Sequence, residues 1–495
     1  MRKLGIPFIT AIIVVIGVID NPASVFARDI NYEQLTNMPD FEELAEGWNT
    51  INPGGETTCA HGTDFEFYVR AANTQKLLIY LYGGGACWDA EGCVEGSDIY
   101  AQYIRPERHP DRLHGIFDLE HPENPFAEYS MIGIPVCTGD VHVGDRDTTY
   151  ILEDEDGELH EFVIRHRGQT NVRAVLDWVY SNFDNPREIF VGGSSAGSLA
   201  VPFYANLLAQ HYPGAAVVGL GDDAGSYGSE ATTGGDPGRW GIPDVLQSHH
   251  GWEDFVEGLG VEYLFITAAR NVPNLRLFQV DHAYDSIQYF YLERTGNPDP
   301  DVLSLLRRYR NVIRTEIPEF RSYTIGGFRH TTLQQAYFYR YHVGGDRFRD
   351  WVAAIARGDD VDDIACEDCS RPEFIYKEYD LAIIEGVIDL LSTPDLWNPE
   401  DTGGACPPGV DQFSLRCAVV HVAREVSGKP LNSHPVFWDV IYEAAAQTGE
   451  RSSGAHILFN NDSDTNFDDV IALLKEVRER IRSAMVHSDS EYNYD

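Results

Sequence analysis

Between Trp48 and Arg357 the apolar positions alternate between two patterns. Short runs rich in β-formers lie at Lys76–Tyr82, Ser130–Val136, Glu188–Val191, Ala215–Leu220, Leu275–Val280 and Arg321–Ile325. Between them, Val172, Val175, Leu176 and Val179 share one helical face, and Leu199–Gln210 and Pro300–Ile313 read as further helices. Brief apolar runs suit strands buried on both faces, whereas a 3.6-residue period marks a helix packed on one side. Their alternation predicts an α/β fold: a mainly parallel sheet with helices on both faces. In such sheets a site forms beyond the carboxyl ends of the strands.

The pattern changes after a charged segment, Gly358–Arg371. Tyr379–Leu391, Arg416–Val426, Pro435–Ala446 and Asn466–Ala484 read as helices, the last with an apolar stripe at Val470, Leu473, Leu474, Val477 and Ile481 that suits a core face. The expected organisation is an α/β domain over 28–357, a linker over 358–371 and a mostly helical C-terminal part over 372–486. A polar, disordered tail is expected over 487–495. Asp462, Asp464, Asn466 and Asp468 alternate oxygen ligands, but an EF-hand's turn glycine and final bidentate Glu are missing. The segment is expected to be an acidic turn capping the last helix.

The first 27 residues do not read as part of the fold. Arg2 and Lys3 precede an apolar run from Leu4 to Val18, and Val25-Phe26-Ala27 supplies small residues for cleavage. The run is short for a membrane span, which needs about 20 residues. Export after cleavage at Ala27 is expected, to the periplasm or outside the cell, with no membrane span in the mature chain. Eight cysteines fit an oxidising compartment. Cys366 and Cys369 have no His or further Cys nearby at a zinc spacing, so a structural disulfide role is expected of them rather than metal or redox chemistry.

Charge narrows the partners. The chain carries 37 basic and 78 acidic residues, net −41, and its only lysines are Lys3, Lys76, Lys377, Lys429 and Lys475. Nucleic acid needs a cationic surface and is excluded as an expected partner. A polyanion would be repelled at long range unless salt screens the field.

The sharpest chemical signal is Gly193-Ser194-Ser195-Ala196-Gly197, a G-x-S-x-G run between a predicted strand and a predicted helix. A serine on such a turn is held clear of the sheet, with the next residue's N–H aimed at a developing oxyanion. Ser195 is therefore the candidate nucleophile. It needs a base, and the base an orienting acid, in the chain order Ser, Asp or Glu, His. His330, in a loop opened by Gly326-Gly327, is the best-placed histidine; His249, His250 and His282 are its rivals. Asp285 lies beyond a predicted strand, and Asp281 and Asp223 compete with it. Gly83-Gly84-Gly85-Ala86 also follows a predicted strand, so Gly84 and Gly85 can offer N–H groups jointly with Ala196.

Several ordered motifs resemble the pectinacetylesterase/Notum family. They are Trp48–Gly55, Thr58–Gly62, Tyr82–Trp88, Ile134–His142, Gly193–Gly197, Asp223–Gly225 and Ala283–Gln288. The resemblance spans roughly Trp48 to Arg357. It implies an α/β-hydrolase fold and a serine carboxylic-ester hydrolase without cofactor or metal. Ser195 would be its nucleophile, Asp285 its acid and His330 its base, and Cys59–Cys137 and Cys87–Cys93 its disulfides. Three positions depart from the plant and animal pattern. Ser198 replaces a second glycine, Val136 a common tyrosine, and Ala86 lies where those members carry an aromatic residue. The substrate implied is an ester, with an acetylated polysaccharide first and a longer acyl or aryl ester second. A hydrolase scaffold that binds without turnover is the reading from a different class. The C-terminal helices lie outside the resemblance.

Overall fold

The computed structural model describes residues 38–229, 237–255, 260–428 and 434–488. The expected leader and residues 489–495 of the expected tail lie outside the described residues; the last helix continues through Ser488.

Nine strands form the main sheet, in the order β1-β2-β4-β3-β7-β8-β9-β10-β13. Their ranges are β1 Trp48–Ile51, β2 Phe67–Arg70, β3 Asn73–Leu81, β4 Tyr129–Ile134, β7 Glu188–Ser194, β8 Ala216–Asp222, β9 Arg276–His282, β10 Arg321–Ile325 and β13 Ile364–Ala365. From β4 to β13 every neighbour is parallel, while β1 and β2 add an antiparallel edge. This is an α/β-hydrolase-like sheet. The ninth strand lies within 358–371, the segment expected to be a linker, and pairs Tyr323 with Ile364 and Thr324 with Ala365.

Side-chain alternation along the strands builds two separate cores. Leu77, Ile79 and Leu81 point into a cluster with Ile189, Val191 and Val217, covered by helices α1 Gly168–Asn182, α2 Ala196–His211, α3 Val261–Asn271 and α5 Val302–Glu316. Helix α4, Ser286–Arg294, adds Leu292 to this cluster. Leu78 and Tyr80 point the other way, with Phe190, Val218, Leu220, Phe278, Val280 and Tyr323. Helix α6 Phe348–Ala356 covers this second face. So do the C-terminal helices α7 Glu378–Leu390, α8 Leu415–Ser427, α9 Pro435–Thr448, α10 Ala455–Asn461 and α11 Phe467–Ser488. Val470, Leu473, Leu474, Val477 and Ile481 are all fully buried in that same cluster. The helices after residue 371 thus supply much of the apolar layer over one face of the sheet.

A two-stranded hairpin, β5 Arg146–Glu153 with β6 Leu159–His166, and a small sheet of β11 Tyr341–Val343, β12 Asp346–Arg347 and β14 Glu373–Phe374 stand apart. Disulfides join Cys59 to Cys137, Cys87 to Cys93, Cys366 to Cys369 and Cys406 to Cys417. Asn466 caps helix α11, its side chain accepting from the backbone N–H of Asp468 at 2.9 Å. Among the described residues, no helix is long and apolar enough to cross a membrane.

Candidate active site

Ser195 stands between β7 and α2 with φ 54° and ψ −123°, a conformation that side chains rarely adopt. Its neighbours explain how the turn closes. A Cβ on Gly197 would lie 2.0 Å from the Leu81 carbonyl oxygen, and one on Gly193 would lie 2.5 Å from the Gly197 carbonyl oxygen. Only glycine permits that approach. Ser195 is the N-cap of α2, yet its side chain makes no capping bond, so Oγ is left for other work. Its backbone N–H donates to the Asp222 carbonyl at 2.8 Å, tying the elbow to the end of β8.

Asp222 also reaches the other half of the site. Its carboxylate accepts from the N–H groups of Thr332, at 2.9 Å, and Leu333, at 2.9 Å, in the loop that carries His330. Asp223 accepts from the Thr331 N–H at 2.5 Å, and Thr331 itself sits at φ 63°. His330 Nδ1 lies 2.7 Å from Asp285 Oδ2. Asp285 is fully buried and caps α4, its Oδ1 accepting from the N–H of Ile287 at 2.8 Å and Gln288 at 3.0 Å. Gln288 Nε2 donates to Asp285 Oδ2 and to Asp281 Oδ1, each at 3.0 Å. The other imidazole nitrogen, His330 Nε2, is buried and has no hydrogen-bond partner among the described residues.

The electrostatics follow from this crowding. Burial works against a charged His330, but Asp285, with Asp223 and Asp222 behind it, pushes its pKa up to about 9. Burial, then the charge of Asp223, raises Asp222 to about 8. Burial and the nearby Asp285 and Asp281 push Asp223 well above the usual carboxylate range. His282, by contrast, is held down to about 4 by burial.

The glycine run after β3 lies against the elbow: a Cβ on Gly83 would fall 2.7 Å from Ser195 Cβ. Gly85 has φ +72° and bridges to Tyr100, while the Gly84 carbonyl accepts from the Ala101 N–H at 2.7 Å. His142 braces this run by donating from Nε2 to the Tyr82 carbonyl at 2.8 Å. Burial lowers His142 to about 4, which keeps it neutral. Asp140 holds that corner, accepting from Thr138 Oγ1 and from the Gly168 N–H, each at 2.7 Å.

Residues 51–255 match the Pectinacetylesterase family. The match covers the elbow and the glycine run; Asp285 and His330 lie beyond it. A curated relative, Pectin acetylesterase 5 of Arabidopsis thaliana, is 23% identical over 299 residues, covering 52% of this chain. The chain spans 64% of that relative's length. Within the family-matched segment, the two disulfides implied by resemblance close around the glycine run: Cys87 and Cys93 follow it, and Cys137 lies in the loop after β4.

The rival residues have other partners. Asp281 pairs with Arg310 at 2.6 Å, and Asp223 holds the His282 imidazole at 2.7 Å. His249 bonds the Val245 carbonyl at 2.8 Å and stacks edge-on against Phe203, and His250 lies on the surface beside Glu253. Gln288 and Thr331 carry no site signal in the sequence, and Asp222, which with Asp223 falls just after a predicted strand and so near the expected site, carries none for its role. The adjacent pair Asp222-Asp223 after a strand was the available signal; the positive φ of Thr331 leaves no trace in its residue type. Among the described residues, three clusters hold metal-type ligand atoms within 4.8 Å of one another. In Cys87–Cys93–His166 the sulfurs are bonded to each other. Asp154–Glu158–His160 is an exposed turn closed by its own hydrogen bonds. In Asp223–Asp285–His330 the carboxylates already receive N–H donors.

Proposed function

We propose that this chain is an exported serine carboxylic-ester hydrolase working through Ser195, His330 and Asp285. The observation that carries this reading is the His330–Asp285 contact of 2.7 Å, on a loop that Asp222 joins to the strained Ser195 elbow. Asp285 holds the Nδ1–H tautomer, which leaves Nε2 to take a proton. Ser195 Oγ attacks the ester carbonyl carbon as its proton passes to His330 Nε2. The carbonyl π electrons move to oxygen, forming an oxyanion. Ala196 opens α2, so its N–H has no acceptor within the helix and can donate to that oxygen together with Gly84 and Gly85. Collapse of the intermediate breaks the bond to the alcohol oxygen, which takes the proton from His330. Water, deprotonated by the same imidazole, then cleaves the acyl-enzyme and releases the carboxylic acid.

The proposed substrate is an acetyl ester on a polysaccharide, supported by the family match and the relative's name. With a net charge of −41, a neutral or sparsely charged chain suits this surface better than a dense polyanion at low salt. Export rests on the predicted leader, and four disulfides fit an oxidising compartment. The test is hydrolysis of p-nitrophenyl esters from acetate to octanoate by wild type and Ser195→Ala. Activity that vanishes in the variant, with an optimum at acetate, is the expected result. An optimum at longer chains overturns the acetyl assignment. Wild-type protein that neither hydrolyses an ester nor reacts with a fluorophosphonate across a range of salt overturns the enzyme reading.

A further inference from the structure

Arg329, next to His330, is only 8% exposed, and its side chain meets no carboxylate in any described ion pair. Its Nε and Nη1 are buried without hydrogen-bond partners. A buried guanidinium without a counter-ion is costly unless something else faces it. Two rings do so. The Trp438 ring lies 3.9 Å from the guanidinium carbon and the Tyr337 ring 4.3 Å from it. Trp438 belongs to α9, in the C-terminal helical layer, beyond both the family-matched residues and the triad. One helical turn on, Tyr442 packs on Phe328 with ring centres 4.5 Å apart. Its hydroxyl fills the space beside Gly327, where a Cβ would lie 2.4 Å away.

These contacts complete a bracket around the imidazole. After His330, three successive amides are fixed: Thr331 to Asp223, and Thr332 and Leu333 to Asp222. Before it, the Phe328 carbonyl accepts from the Ser286 N–H at 3.1 Å, and the Gly327 N–H donates to the Cys369 carbonyl at 2.8 Å. Arg329 is the remaining link. Its side chain is held between a ring of its own loop and a ring of α9. From this arrangement we infer that Trp438 and Tyr337 position the catalytic base: the clamp on Arg329 makes helix α9 a working part of the active site. The inference rests on the Ser195–His330–Asp285 reading and adds to it a role for the C-terminal helices.

The test uses the full chain and compares Trp438→Ala, Trp438→Phe and Arg329→Lys with wild type for kcat, KM and fluorophosphonate labelling rate. A desolvated cation–π contact is worth enough to move a positioned base. Trp438→Ala is expected to lower kcat and the labelling rate roughly 10- to 100-fold, with KM within about twofold. Trp438→Phe, which keeps a ring face, is expected to recover kcat to within about threefold of wild type. Folded Trp438→Ala with wild-type kcat and labelling rate overturns the inference. If Trp438→Ala does not fold, Arg329→Lys carries the test: an ammonium cannot stack flat between two rings, so kcat must fall with KM kept. Wild-type kcat in Arg329→Lys then overturns the inference. Failure of the triad itself shows differently, as a wild type that is inactive and unlabelled, or a Ser195→Ala variant that stays active. That result overturns both.

Discussion

Replacing Asp285 with Asn isolates what this carboxylate does for His330. Asn keeps an oxygen where Asp285 Oδ1 accepts from the N–H of Ile287 and Gln288, so the cap of α4 survives. The conflict falls on the other atom. Asp285 Oδ2 faces His330 Nδ1 at 2.7 Å and Gln288 Nε2 at 3.0 Å. An amide nitrogen there would meet a donor from Gln288. It would also force His330 into the tautomer with its proton on Nε2, facing the nucleophile. Electrostatics adds to this. Burial opposes charge on His330, and Asp285 is first among the groups that nevertheless raise it from 6.5 to about 9. That difference corresponds to about 3 kcal/mol, or roughly 300-fold. With the tautomer also wrong, kcat for p-nitrophenyl acetate should fall on the order of 10³–10⁴-fold. KM should change little, and the melting temperature should move by a few degrees at most. A folded Asp285→Asn protein that keeps kcat within about tenfold of wild type would refute the assignment of the acid.

Other consequences can be measured directly. His330 is raised in the folded state, so the stability it contributes is complete below pH 6.5 and disappears as pH passes about 9. The gap in melting temperature between wild type and Asp285→Asn should therefore close in alkaline buffer, and a gap that widens would contradict the sign. The same shift makes kcat/KM climb as pH approaches about 9, with a flat profile between pH 6 and 9 as the contrary result. Gly197→Ala places a methyl 2.0 Å from the Leu81 carbonyl oxygen and should cost about 3 kcal/mol or more in chemical denaturation. A fully stable variant would mean that the elbow can open. At net −41, the melting temperature should rise between low salt and about 1 M NaCl as self-repulsion is screened; no rise would show that the surface charge does not limit stability.

What the chain disclosed in advance was its parallel interior. Strands such as β3, whose Leu77–Leu81 are buried on both faces, announce themselves as continuous apolar runs, and the β-formers of Arg321–Ile325 mark the very residues of β10. The helices α7, α8, α9 and α11 fall within a few residues of their expected ends. The edge and hairpin strands were silent. β5 alternates exposed and half-buried positions around Tyr150, with Thr, Asp and Glu among them, and resembles a loop. Segment 358–371 is charged, yet two of its residues complete the sheet, because parallel pairing asks only for backbone groups. Site residues divide the same way. The Ser195 turn was legible because it demands glycine on both sides, whereas chain order left Asp285, Asp281 and Asp223 open and only the family resemblance chose Asp285, which caps α4 and meets His330. The clamp by Asp222 and Asp223 was not legible. It consists of side chains holding backbone amides about 110 residues away, and an amide has no letter in the sequence.

Asp222 gives the site a common datum. One face of this residue, its carbonyl, accepts from the Ser195 amide; the other, its carboxylate, accepts from two amides of the loop that carries His330. The Ser195 turn and the His330 loop are thus tied to one residue at the end of β8. A change at Asp222 would therefore disturb the Ser195 turn and the His330 loop together.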